Sequence, residues 1–175
     1  MSLRTAGQVH RRLAFEWLTN SDVTRQMMGP TFYPEVPIPG WDEFASDYSA
    51  PFFSGQEDPG GTCYLIVVES RNAGIVCHNE VDSAKKRVEL DIWMKAQSFC
   101  GHGYGPDAIK TLCGHLHGIY GIRECLLRPS ARNSRALRAY EKAGFSRVAI
   151  SHEQEVAQYG EGDYSDDVVF IKRAG

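Results

Sequence analysis

The chain has 175 residues, 42% of them hydrophobic, enough to bury one ordinary core, and we read residues 1–175 as one domain. A net charge of −3 and a pI near 6.1 give no electrostatic footprint for nucleic acid. Five cysteines, Cys63, Cys77, Cys100, Cys113 and Cys125, are an odd number without zinc-like spacing, which suits reduced thiols in a cytoplasmic protein. No charged-then-apolar leader opens the chain and no apolar run approaches membrane length, so a membrane protein is not expected.

The first predicted helix covers residues 9–18, with Val9, Leu13, Phe15, Trp17 and Leu18 as apolar contacts and Asn20-Ser21 ending it. Ser21 or Asp22 would cap a short second helix running to Met28. Residues 29–61 are rich in proline, glycine and aromatics, among them Phe32, Tyr33, Trp41, Phe44, Tyr48, Phe52 and Phe53. A helix over 41–48 lies between two long loops there, and such loops are often functional. These aromatics either cover the core or wall a substrate site. Asp42, Glu43, Asp47, Glu57 and Asp58, with no Lys or Arg between Trp41 and Gly60, lend weight to the second reading.

Residues 62–69 and 74–81 read as a strand pair joined by a turn at 70–73, and 82–86 turns the chain into a third strand. In that strand Val88, Leu90, Ile92 and Met94 alternate with Glu89, Asp91 and Trp93, so Glu89, Asp91 and Trp93 share a face. After Gly101, Gly103 and Gly105 comes Pro106, suited to a first helical turn, and a helix over 107–120. A strand over 124–127, a helix over 134–143 capped by Asn133, and strands near 146–152 and 168–172 complete the order. The expected fold is α+β: a mixed, mostly antiparallel sheet with helices on both faces.

The glycine loop is an anion site in waiting. Glycines let the backbone approach a ligand closely, and the next helix turns its unpaired N–H groups toward the loop. G-x-G-x-G is not the dinucleotide fingerprint G-x-G-x-x-G, and no Gly-Lys-Ser/Thr of a P-loop follows. His115 and His117, two apart on a helix, diverge, and no metal-ligand motif accompanies them, so no metal is expected.

The pairing of C-G-H-G-Y-G at residues 100–105 with N-S-R-A-L-R-A-Y-E-K-A-G-F at 133–145 resembles the GNAT superfamily of acetyl-CoA-dependent N-acetyltransferases. The opening F-E-W-L-T-N-S-D-V resembles the branch containing aminoglycoside 6'-N-acetyltransferases, although so few residues precede it that the first strand is expected to be short or absent. The resemblance implies that acetyl-CoA lies with its pyrophosphate on the backbone of Gly101, His102, Gly103, Tyr104 and Gly105, and that Asn133 holds the pantetheine arm unless it is only a helix cap. Cys100 departs from the family's usual Gln or Arg, leaving phosphate binding to backbone groups; a covalent role for its thiol is not expected, since nothing in sequence pairs it with a base.

By the same resemblance Tyr140 would protonate the departing thiolate, unless it is a core tyrosine. Asp91, with Glu89 beside it, would accept the amine's proton or hold the ammonium, the bland alternative being a solvated strand face. Trp93 and Trp41 would line the acceptor pocket, and a backbone N–H near Trp93 or Met94 would meet the oxyanion. Arg128, Arg132, Arg135, Arg138 and Lys142 would crowd the coenzyme side. The acids Glu153, Glu155, Glu161, Asp163, Asp166 and Asp167 of a late loop would join those of the early loop about the acceptor, if they are not simply a solvated surface. The expected function is acetylation of a primary amine on a small cation such as an aminoglycoside or polyamine. A peptide N-terminus as acceptor, and a CoA-binding, amine-sensing module without turnover, are the alternatives. Family members often pair through sheet edges, so a homodimer is also an expectation.

Overall fold

The computed structural model describes residues 1–28 and 38–174. Phe32 and Tyr33, two of the proposed loop aromatics, lie outside the described residues. Seven strands among those described form one sheet: β1 (Ser2–Thr5), β2 (Thr62–Val68), β3 (Arg71–His78), β4 (Arg87–Met94), β5 (Glu124–Leu127), β6 (Ser146–Arg147) and β7 (Phe170–Arg173). Their order is β1-β2-β3-β4-β5-β7-β6, antiparallel throughout except for the parallel pair β4 and β5. The first strand is therefore present but only four residues long.

Six α-helices among the described residues accompany it: α1 (Arg11–Thr19), α2 (Thr24–Met27), α3 (Trp41–Asp47), α4 (Tyr104–Tyr120), α5 (Ser134–Lys142) and α6 (His152–Tyr159). A parallel strand pair needs a crossover, and α4 supplies it between β4 and β5. The sheet is buried on both faces. Val88 and Leu90 of β4 pack with Ile109, Leu112 and Leu116 of α4 on one side. On the other, Trp93 packs with Phe44 of α3 and with Ala14 and Trp17 of α1, and its indole N–H donates to the Ala14 carbonyl at 3.0 Å.

Local structure departs from expectation at several points. The first helix opens with a 3₁₀ turn, Gln8–His10, and its buried stripe is Ala14 and Trp17; Val9 and Leu13, expected among its apolar contacts, lie on the outer side and are 79% and 40% exposed. Neither Ser21 nor Asp22 caps α2, which starts from Val23. Asp22 instead accepts the backbone N–H of Gln97 at 2.7 Å, tying the α1–α2 turn to the chain before the glycine loop.

The β2–β3 turn is tighter than residues 70–73. Glu69 and Ser70 both adopt left-handed dihedrals, φ 48° and 63°, which suits a two-residue hairpin, and Arg71 and Asn72 join the strand. The strand expected over 146–152 ends at Arg147, because Ser151 and Gln154 form a reciprocal capping box that starts α6. Further along β3, Gly74 lies so close to β4 that a Cβ there would overlap the carbonyl oxygen of Trp93. A glycine is what lets the two strands meet at the end of β4 nearest the loop.

Candidate active site

The parallel pairing of β4 and β5 runs only from Arg87 with Glu124 to Glu89 with Leu126. β4 continues to Met94 with no partner on that side among the described residues, so the two strands part like a V. On its other edge β4 stays paired with β3, where Asn79 N–H donates to the Glu89 carbonyl at 2.9 Å and Lys95 N–H to the Ala73 carbonyl at 2.8 Å. Antiparallel bonding alternates, so the backbone groups of Glu89, Asp91 and Trp93 serve β3 while those of Ile92 and Met94 point into the V. Of the two oxyanion positions considered from sequence, the open one is Met94.

A cavity of about 320 Å³ fills this V. One side is Leu90, Asp91, Ile92, Trp93 and Met94; another is Leu127, Arg128 and Pro129 with Asn133, Ala136 and Tyr140. At one end stand Cys100 and Gly105, which bracket the glycine loop, and Arg135. Around the rest of the lining stand Glu43, Asp47, Tyr48, Asp163 and Tyr164.

The loop has the form expected of an anion cradle. Gly101 and Gly103 have φ of +82° and +85°, and α4 begins directly after, at Tyr104. The N–H groups of Tyr104 and Gly105 fall in the first turn and have no intrahelical acceptor, while Pro106 has none to donate. A Cβ at either left-handed glycine would enter open space, so room for a ligand against the backbone exists where a side chain would otherwise stand. The residues present thus fit a pyrophosphate. The helix starts earlier than residue 107, which puts Tyr104 and Gly105 on its first turn rather than in the loop; the Tyr104 ring stacks with His102 at 5.5 Å.

Asp91 sits half-buried on the cavity wall, and Asn79 Nδ2 donates to its Oδ2 at 3.1 Å. Burial pushes its pKa up to about 7; the nearby carboxylates of Glu89 and Asp163 add to the rise, while hydrogen bonds from Asn79 and Tyr48 oppose it. Tyr140 is 8% exposed, packed edge-on against Phe170, and burial, then Asp91 and Tyr164, raise its phenol well above the ordinary value. A neutral O–H facing the cavity follows at pH 7.

Asn133 caps α5 by accepting the Ala136 N–H at 3.1 Å and also lines the cavity, so the cap and the wall meet in one residue. Cys100 lines the cavity, but burial raises its thiol pKa against the pull of Arg135, and its Sγ donates to the Ala96 carbonyl at 3.7 Å. A protonated thiol is a poor nucleophile.

Of the glycine loop only Cys100 and Gly105 are in the lining, residues 101–104 lying outside it, and three of the residues assigned beyond the loop lie elsewhere. Glu89 is held by Arg128 through two hydrogen bonds of 2.8 Å and lines a separate cavity of about 190 Å³ with Asn79, Asp82 and Tyr159. Trp41 is outside the lining and carries Arg12 and Arg11 over its ring at 4.7 and 5.4 Å, so its face is already covered by cations. Arg138 is exposed on α5, whereas Arg135, one turn earlier, lines the cavity and donates to Gln97 Oε1 at 2.6 Å.

The basic cluster is also partly neutralised. Arg128 binds Glu89, approaches Glu155 at 3.8 Å and donates to the Gly160 carbonyl at 2.8 Å; Arg132 binds both oxygens of Asp166 at 2.7 and 3.0 Å. Of the early acids, Glu57 turns away to His115 at 2.9 Å and to Tyr64, and Asp58 caps the turn at Gly60. Of the expected wall aromatics and acceptor-side acids, Tyr48, Asp47, Glu43 and Asp163 do line the cavity, while Tyr164 has no signal in sequence; the tertiary fold brings positions 48, 91 and 163 together, and no local pattern announces that.

The profile of the acetyltransferase (GNAT) domain matches residues 1–146, and the chain belongs to the GNAT superfamily of acetyl-CoA-dependent N-acetyltransferases. Among solved structures it is similar to the aminoglycoside acetyltransferase AAC(6')-Ib in complex with coenzyme A, at 19% identity and a TM-score of 0.71 over 98% of this chain and 94% of that one. It is also similar to the spermidine N-acetyltransferase of Vibrio cholerae in complex with CoA and spermine, at 18% identity and a TM-score of 0.70 over 98% and 94%. A domain from Methanocaldococcus jannaschii aligns at 15% identity and a TM-score of 0.70 over 99% and 97%. At these identities the likeness is one of fold. No curated protein sequence matches the chain. No helix among the described residues is long and apolar enough to cross a membrane, and no group of three His, Cys, Asp or Glu among them could hold a metal ion.

Proposed function

We propose that the protein transfers an acetyl group from acetyl-CoA to a primary amine of a small cationic acceptor, by direct attack. The observation that carries this reading is a cavity whose lining reaches the glycine loop at Cys100 and Gly105, with a half-buried carboxylate and a buried phenol on its walls and Glu43, Asp47 and Asp163 also in its lining. Those acids suit an acceptor with more than one positive charge, such as an aminoglycoside or polyamine; kanamycin bound to AAC(6')-Ib and spermine bound to the Vibrio cholerae enzyme are cations of that kind.

The thioester supplies an activated acetyl carbonyl, its pyrophosphate resting on residues 101–105 and its arm beside Asn133. Asp91, with a pKa of about 7, takes the proton that the ammonium must lose before its nitrogen can attack. Met94 N–H donates to the carbonyl oxygen as negative charge gathers on it. Tyr140 gives its proton to the thiolate sulfur as the carbon–sulfur bond breaks and regains one as the nitrogen sheds its second proton, leaving an amide and free CoA thiol. Glu89, committed to Arg128, serves the site as a neighbour of Asp91 and not as the base.

Five free cysteines suit a cytosolic setting. β1 and β6, the two sheet edges, are where a second copy would pair.

The test is release of free CoA thiol from acetyl-CoA with a panel of aminoglycosides, polyamines and peptides, run beside Tyr140→Phe and Asp91→Asn. Release that depends on a cationic small amine and falls in both variants is the expected result. Turnover of peptides alone would move the acceptor to a protein N-terminus, and tight acetyl-CoA binding with no release for any amine would make the chain a binding module.

A further inference from the structure

We infer that Asn79 is a positioning residue for this site: its amide holds one oxygen of Asp91 so that the other faces the acceptor. The inference rests on Asp91 being the base. Asn79 directly follows β3, and its main chain is clamped on both sides, the N–H donating to the Glu89 carbonyl at 2.9 Å and the carbonyl facing Nδ1 of the buried His78 at 2.8 Å. Standing opposite Glu89, it reaches diagonally to Asp91, two residues on, with Nδ2 3.1 Å from Oδ2. The side chain thus occupies the partition between the main cavity, which Asp91 lines, and the smaller one, which Asn79 and Glu89 line.

The other groups about Asp91 do not substitute for this anchor. Glu89 on its own strand and Asp163 across the cavity repel it; Cys77 opposite on β3 and the phenols of Tyr140 and Tyr164 are neutral; Tyr48 also offers a hydrogen bond. Arg128, a cation in the cavity lining, is engaged by Glu89. A donated hydrogen bond favours the ionised carboxylate, so Asn79 both aims Asp91 and keeps it usable near neutrality.

The experiment is the pH profile of kcat/KM for the full chain, with acetyl-CoA and the best amine of the panel, in wild type, Asn79→Leu, Asn79→Asp and Asp91→Asn. Asn79→Leu is expected to move the acid limb up by about one pH unit, and Asn79→Asp, which adds a like charge, further, with the acetyl-CoA dissociation constant unchanged in both. A residue that only supported the fold would lower activity at every pH and leave the limb in place; that result overturns the inference. Should Asn79→Leu fail to fold, the near-isosteric Asn79→Asp decides alone. If Asp91→Asn keeps the limb, the base assignment falls and this inference with it; if that variant loses the limb while the Asn79 variants keep the wild-type position, only this inference falls.

Discussion

Arg128 holds Glu89 in two parallel hydrogen bonds of 2.8 Å each, and that pairing separates two carboxylates that the sequence leaves equivalent. Glu89 and Asp91 share a strand face, yet one is tied to a cation and the other lines the cavity. Glu89→Gln should lower stability by about 1–3 kcal/mol through loss of the charged pair, read by urea unfolding. With a like charge removed from beside Asp91, the acid limb of activity should move to lower pH.

Activity should rise with pH through about 7, because the base works only when ionised and Asp91 still carries its proton below that value. Asp91→Asn should flatten this limb and reduce kcat by about 10²-fold or more at pH 8 in the thiol-release assay.

Stability should run the other way. Asp91 and Asp167 both hold a proton up to about pH 7 in the folded protein, whereas an unfolded carboxyl loses it near ~4. Their raised values contribute stability that is fully present below ~4 and lost as pH rises through about 7. Thermal unfolding between pH 5 and 8 should show less of this decline in Asp91→Asn, and not none, since Asp167 remains.

Tyr140→Phe keeps the ring against Phe170 and removes only the hydroxyl. The expected result is a fall in kcat of about 10²-fold with an unchanged melting temperature and unchanged acetyl-CoA affinity by calorimetry.

Gly103→Ala should cost about 1–2 kcal/mol of stability, because a side chain is forced into φ +85°, and should weaken acetyl-CoA binding by filling the space beside the backbone donors. Arg135→Ala should weaken the same binding more than Arg138→Ala, since only Arg135 lines the cavity. Calorimetric titration with acetyl-CoA checks both.

What could be read in the sequence alone was local chemistry with a short repeat. The alternation over residues 88–94, the glycine spacing at 101–105 and the cap at Asn133 each depend on neighbours within a few positions, and the helices, strands and loop they imply are those found. The motif pair at 100–105 and 133–145 was likewise enough for the family. Short signals failed where competing patterns overlap: a capping box at Ser151 starts a helix in a stretch that looks extended, and Val9 and Leu13 are apolar but fall outside the buried stripe of α1.

The tertiary structure decided how side chains far apart in sequence are shared out. The arginines Arg128 and Arg132 are consumed by Glu89 and Asp166, acids 39 and 34 positions away, and Trp41 is covered by Arg11 and Arg12. Tyr48 and Asp163 come near Asp91 at the cavity left where β4 and β5 part after Glu89, and Asn79 reaches it across the β3–β4 pairing. Burial and charge in that space, not residue type, turn an ordinary strand aspartate into one with a pKa near neutrality.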